Sequence, residues 1–292
     1  MNKHKILVIG ANGMLGASIY RYYNSKNEYE VLGTVRSDVI KTNLNELGFT
    51  QIVSDIDVRN ENSISELISQ FKPNFVFNCV GIIKQLADSK KPILAIKINA
   101  LFPHELAAIC TANKSKLIHF STDCVFSGDK GNYKEIENPD ALDLYGRSKF
   151  LGEVDYDGHI TLRTSIIGHE INTQHSLVDW FLAQNNRVDG YLNAIFSGMP
   201  TCYIAELVEK YVITNASLSG LYHLSVEPID KLSLLELIRD TYEKEITIDP
   251  HKDLVIDRSL DSDKFRKATG FIPLPWTQLI RKMNDEYNQY FK

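Results

Sequence analysis

The stretch "KILVIGANGMLG" occupies Lys5–Gly16. Its apolar run Ile6–Ile9 is unbroken and ends at Gly10, and two more glycines follow at 13 and 16. A run without polar alternation suits a strand buried on both faces, as in a parallel sheet. The glycines that follow permit a tight turn into a helix, which the pattern predicts from Met14 to about Asn24.

The same rhythm continues outward from this unit. Strands are predicted at 29–35, 51–56, 75–81, 116–122 and 159–165. Between them, Ile64, Leu67, Ile68 and Phe71 have helical spacing. Residues 93–113 read as a long helix that Pro103 bends or breaks, and another helix starts at Tyr145. This alternation predicts an α/β fold: a Rossmann-like, doubly wound parallel sheet over residues 1–165. After Gly168 the rhythm changes. Helices at 176–184 and 233–242, a turn-rich segment running into a helix at 193–213, a strand at 220–225 and a last pair of helices predict a smaller mixed α/β domain, 166–292. Strand exchange between the two domains is allowed for.

The 292 residues are 43% apolar and 24% charged, enough for a sizeable core. A formal net charge of -5 gives no basic field to collect phosphates along a nucleic acid, so no nucleic-acid partner is expected. Cys79, Cys110, Cys124 and Cys202 form no CxxC pair and suit a reducing compartment. The N-terminal apolar run is too short for a signal peptide or a membrane span. The expected location is the cytoplasm, with no membrane association. The eight histidines are scattered, and no metal site is expected.

Position gives the glycines their meaning. Gly10 allows the tight turn, Gly13 lets the backbone approach a pyrophosphate, and Gly16 lets the helix pack closely on the sheet. The helix N-terminus then faces the phosphates. A glycine-rich turn with no ligand is the alternative. Arg36 stands where a chain preferring NADH usually carries an acid, and its guanidinium suits the 2′-phosphate of NADPH. Asp38 keeps NADH open, and Arg36 as a solvated surface charge is the plain reading. Asp57, with Val58, can meet an adenine ring or cap the helix that follows. The loop "NCVG" (78–81) suits passage beneath a cofactor ribose, or Asn78 ties two loops together.

Tyr145 and Lys149 in "YGRSK" share one helix face. A phenol titrates near 10, too high for acid–base work at neutral pH, and a neighbouring ammonium lowers it. A carbonyl receiving hydride at carbon needs a proton at oxygen, which such a tyrosine can give. "HFSTDCVFSG" brings Thr122 and Asp123 to the end of a strand, where folds of this kind keep their ligands. Thr122 can hydrogen-bond a substrate carbonyl, and Asp123 can hold hydroxyls or relay a proton. Fourteen tyrosines make a chance Tyr–Lys spacing easy, so the pair draws its weight from the other motifs.

Together "GANGMLG", "STDCVFSG" and "YGRSK" resemble the extended short-chain dehydrogenase/reductase family. "RTS" after the YxxxK, "NAIFSGMPTCYIAEL" and "RSLDSDKFRKATGF" resemble its dTDP-4-dehydrorhamnose reductase branch over nearly the whole chain. The resemblance implies a reductase of a nucleotide-linked 4-keto-6-deoxy sugar in bacterial surface-polysaccharide synthesis, with NADPH preferred and NADH possible. Tyr145 is implied as proton donor, Lys149 as its partner, Thr122 as the carbonyl contact and Asp123 as a substrate neighbour. Gly10, Asn12, Gly13, Met14 and Leu15 are implied at pyrophosphate and ribose. Asp57 and Val58 match the adenine-side pair, and Cys79, Val80 and Gly81 the loop after the fourth strand. Ile166, Asn193 and Arg258 are implied on the substrate side, Arg258 near the diphosphate or, equally, in a surface ion pair. Ile166 replaces the branch's usual Trp, which leaves the sugar open, and Cys124 replaces its usual Tyr. The alternatives are an epimerase or dehydratase of the same fold, and a non-catalytic regulatory subunit like that of methionine adenosyltransferase. Helix 93–113 and the Tyr145 face allow a homodimer.

Overall fold

The computed structural model describes residues 3–83, 91–171 and 173–292. The first strands are β1 (His4–Ile9), β2 (Tyr29–Thr34), β3 (Ile52–Val53), β4 (Phe75–Asn78), β5 (Lys116–Thr122) and β6 (Ile160–Thr164). After them come β7 (Ile166–Ile167), β8 (Arg187–Tyr191), β9 (Ala194–Phe196), β10 (Met199–Pro200) and β11 (Gly220–His223). The last three are β12 (Ile229–Asp230), β13 (Thr247–His251) and β14 (Ile256–Asp257). The principal sheet has seven strands in the order β11-β6-β5-β4-β1-β2-β3. β1 pairs in parallel with both β2 and β4. Strand order reverses between β1 and β4, the switch point at which doubly wound sheets open a crevice for ligands.

The helices of the first half are α1 (Met14–Asn24), α2 (Asp38–Glu46), α3 (Glu61–Phe71), α4 (Pro92–Ala95), α5 (Phe102–Ala112) and α6 (Leu144–Leu151). α1 keeps its expected bounds. α2 is an addition to the sequence reading: Ser37 caps it by accepting from the Ile40 N–H, and Leu44 is its one buried side chain. So sparse an apolar stripe gives little periodic signal. The predicted helix 93–113 is helical throughout but not regular. A π segment, Ile96–Leu101, joins α4 to α5, and Pro103 lies in the first turn of α5. Proline lacks the N–H that a helix interior needs, and the widened turn falls just before it. The run Pro92–Ala112 is long and apolar enough to cross a membrane by length and composition, with mean hydropathy 1.5. In the fold, Phe102, Leu106, Ala107 and Cys110 from this run are buried in a core with Leu7, Ile9, Val76 and Leu117. Each such aliphatic side chain contributes about 1.5–3 kcal/mol by leaving water.

The chain divides into two compact units. The first comprises Met1–Ser121, Leu142–Leu162 and Ala205–Leu221; the second comprises Thr122–Ala141, Arg163–Ile204 and Tyr222–Lys292. The second half supplies α7 (Leu177–Ala183), α8 (Thr201–Leu207), α9 (Lys231–Thr241), α10 (Asp263–Thr269) and α11 (Trp276–Tyr290). In the second unit, Val178, Phe181, Leu234, Ile238, Ile280 and Met283 form a separate core. It carries small sheets, β12-β9-β14 and β13-β8. The predicted strand at 220–225 is β11, shorter than expected and at the edge of the seven-stranded sheet beside β6.

Candidate active site

In the first unit, the glycine turn is built by the backbone. Gly10 has φ +85°, and a side chain there would press on the Val80 side chain. A Cβ on Gly16 would overlap the Gly10 carbonyl. Gly13 is different: a Cβ there would meet nothing nearer than the Gly10 oxygen at 3.6 Å. Its φ of -76° is open to any residue. The chain itself does not require glycine at 13, so the free space above it fits a ligand. α1 starts there with no capping side chain and no acid in its first turn. Its first N–H groups, beside Met14 and Leu15, therefore suit a pyrophosphate. Asn12 lies half-buried in the turn.

Beyond β2, Arg36 is exposed and acts electrostatically on Asp57. Asp57 does not cap α3, whose N-cap is Asn60. Its carboxylate accepts from the backbone N–H and guanidinium of Arg59, and these bonds, chiefly, hold its pKa below the usual range. An adenine amino group would share that carboxylate with Arg59. Val58 is buried beside it.

The loop after β4 is tied from below. The Val80 N–H donates to Asn78 Oδ1 at 3.2 Å, which fixes the amide. Asn78 Nδ2 then donates to His119 Nδ1 at 3.1 Å, so Nε2 carries the ring proton. That nitrogen is buried and meets no acceptor among the described residues. Burial, with Lys149 nearby, keeps the His119 pKa well below its ordinary value. Cys79 donates its N–H to the Ile9 carbonyl, and Gly81 is exposed.

α6 is capped by Asp143, which accepts from the Gly146 N–H at 2.8 Å. Tyr145 lies in its first turn, half-buried. One turn on, Lys149 is buried and its Nζ donates to the Phe120 carbonyl of β5 at 2.7 Å. Burial pulls its pKa down to about 8, opposed by Glu153 and Cys79. Glu153 is itself held by the Ser121 hydroxyl at 2.7 Å. The ammonium is thus anchored to β5 on the face that also presents Tyr145.

Asn99 went unnoticed in the sequence. Lying in the π segment, it accepts from the Ile82 N–H at 2.8 Å and donates to the Ile82 carbonyl at 3.1 Å. It also donates to Ser148 Oγ at 3.2 Å. Gly152 packs so closely on its backbone that a Cβ would collide with it. One amide therefore locks the β4 loop to α6. The available signal was an Asn inside a largely apolar helical run.

In the second unit, Thr122 caps a 3₁₀ turn, Asp123–Val125. Its Oγ1 accepts from the Cys124 N–H and donates to Asp123 Oδ1, both at 3.1 Å. To reach a substrate carbonyl, that hydroxyl must rotate away from Asp123. Asp123 is buried, and burial raises its pKa against the Thr122 bond and the fields of Arg258 and Lys231. Arg258 Nε donates to the Phe126 carbonyl at 2.8 Å. Ile166 is half-buried and opposite Met199 in β7. Asn193 is exposed, and its amide donates to the Lys252 carbonyl. No group of three His, Cys, Asp or Glu able to hold a metal occurs among the described residues.

Residues 4–289 match the RmlD substrate binding domain family. The chain belongs to this family. A dTDP-4-dehydrorhamnose reductase of Aggregatibacter actinomycetemcomitans is 28% identical over 234 residues, 77% of this chain and 74% of that protein. Methionine adenosyltransferase 2 subunit beta of Danio rerio is 24% identical over 265 residues, 82% and 74% of the two chains. The crystal structure of dTDP-4-dehydrorhamnose reductase from Bacillus anthracis, solved with NADP, superposes with a TM-score of 0.80. It is 21% identical and covers 98% of this chain and 100% of its own. The RmlD family thus accounts for the extended short-chain dehydrogenase/reductase fold seen here.

Proposed function

We propose that this RmlD-family chain is an NADPH-dependent reductase of a nucleoside-diphosphate 4-keto-6-deoxyhexose, working in the cytoplasm on precursors of surface polysaccharide. The observation that carries the reading is the buried Lys149 ammonium, anchored on β5 one helical turn from Tyr145. The bare start of α1 and the open space at Gly13 support a dinucleotide. The relatives named a reductase, and the structure solved with NADP, support the same chemistry.

When bound, the reduced nicotinamide supplies the hydride. Tyr145 gives its hydroxyl proton to the carbonyl oxygen that becomes the new alcohol. Lys149 stabilises the phenolate left behind. Thr122 turns its hydroxyl from Asp123 to the same oxygen and polarises the carbonyl. Asp123 accepts from a sugar hydroxyl, and Arg258 offers its remaining N–H groups to the diphosphate. Arg36, beside Asp57, takes the 2′-phosphate. Loss of reduced-nicotinamide absorbance across a panel of UDP-, dTDP-, GDP- and CDP-linked 4-keto sugars tests the reading. Turnover of one of them is expected. NADPH bound but inert toward every sugar would overturn it.

The relationship to the adenosyltransferase subunit supports a second reading, in which the chain binds a partner and reduces nothing. Partner binding by a native protein that oxidises NADPH with no sugar would favour it. Exposed Ile93, Ile96, Leu101, Phe150 and Leu151 support self-association of the first unit. A dimer by sedimentation, lost in Leu151→Glu, is the expected result.

A further inference from the structure

We propose that Tyr133 positions Arg258 for the nucleotide diphosphate. It acts through the loop 126–128, on which Arg258 is seated. The inference rests on the reductase reading, in which Arg258 meets the diphosphate.

Arg258 directly follows β14 in the second unit. Its Nε donates to the Phe126 carbonyl at 2.8 Å. Its stem lies on Gly128, where a Cβ would come within 3.0 Å of Arg258 Cγ and 2.6 Å of Ile256 Cγ1. Gly128 has φ +93°, so glycine serves both the turn and the close approach. The Asp257 N–H donates to the Gly128 carbonyl at 2.7 Å. No described residue accepts from the two terminal nitrogens of the guanidinium. A fork with its inner nitrogen fixed and its outer pair open suits a diphosphate.

Tyr133 holds that seat in three ways. Its buried ring stacks on Phe126, with centres 4.2 Å apart and planes 8° apart. Its hydroxyl accepts from the Gly128 and Lys130 N–H groups, both at 3.2 Å. Its backbone pairs with the segment that carries Arg258: its N–H donates to the Ser259 carbonyl at 2.9 Å, and its carbonyl accepts from the Asp261 N–H at 2.8 Å. The phenol proton is placed as well. Ser127 gives its hydroxyl proton to Asp140 at 2.8 Å, so its oxygen accepts from Tyr133 at 3.4 Å. The hydroxyl is thus spent within the loop, which makes Tyr133 a positioning residue and not an acid. A fixed fork binds an anion with less loss of freedom than a mobile one. Losing the hydroxyl therefore costs affinity at a ligand that Tyr133 does not touch.

Calorimetry with UDP, dTDP, GDP and CDP first finds the tightest-binding probe. That probe is then titrated into four proteins: native, Tyr133→Phe, Arg258→Met and the double variant. Tyr133→Phe keeps the ring stack and the backbone bonds and removes only the hydroxyl. It should weaken the probe by about 5-fold to 10-fold and leave NADPH affinity unchanged. In the Arg258→Met background the same substitution should change affinity by about 2-fold at most. A merely structural tyrosine would weaken both backgrounds alike. Phe126→Leu, which removes the stacking partner, is read in the same cycle should Tyr133→Phe fail to fold. Equal losses with and without the Arg258 side chain, or no loss in Tyr133→Phe, overturn the inference. A native protein that binds none of the four probes overturns it together with the reductase reading. Coupling between the two residues with no NADPH oxidation on any keto sugar sinks the reductase reading alone.

Discussion

Single side chains divide the proposed reaction into separable steps. Tyr145→Phe removes only the proton donor. It should lower kcat/KM by about 100-fold or more while NADPH still binds, checked by steady-state rates beside a fluorescence titration. Thr122→Val keeps the shape but has no hydroxyl for the carbonyl. A fall of roughly 10-fold to 100-fold is expected, mostly in kcat. Arg36→Ala should weaken NADPH by about 10-fold and leave NADH unchanged, read from the two dissociation constants. At this scale the motifs were legible because each pairs a residue type with a fixed offset: glycine at the turn, phenol and ammonium four apart. Asn99 carries no such offset. It is defined by partners distant in sequence, Ile82 and Ser148.

Elements position these groups by close backbone approach. α1 lies against the turn so tightly that Gly16→Ala must shift it. A loss of about 1–3 kcal/mol in unfolding free energy is expected, with weaker NADPH binding. Asn99→Leu would leave the Ile82 N–H and carbonyl unmatched, costing about 1–3 kcal/mol by denaturant unfolding. Unbroken apolar runs, Ile6–Ile9 in β1 and Phe75–Phe77 in β4, made those strands readable. β7, β10, β12 and β14 have two residues each, too few for any period to register. They exist because partners elsewhere in the chain present edges to them.

For the molecule as a whole, buried amines tie stability to pH. Lys149 has its folded pKa near 8 against an ordinary 10.5. Between those values the unfolded chain holds more protons at this site, so its contribution to stability rises with pH. Below pH 8 the charged, buried amine costs on the order of 3 kcal/mol. Cys79 opposes the trend, since burial raises its pKa and the unfolded thiol ionises first. The clean measurement is a difference: native protein minus Lys149→Met, each unfolded by urea from pH 7 to 10.5. That difference should shift in favour of the native protein as pH rises.

The widened turn at Ile96–Leu101 has a consequence for redesign. Deleting one residue there would yield an ordinary α-helix of better intrinsic geometry, and a stability-minded engineer would be drawn to it. The deletion would swing everything upstream by roughly 100° about the axis. An improved helix would thus come with a misaimed amide and a loosened tie between the β4 loop and α6, trading the proposed turnover for robustness.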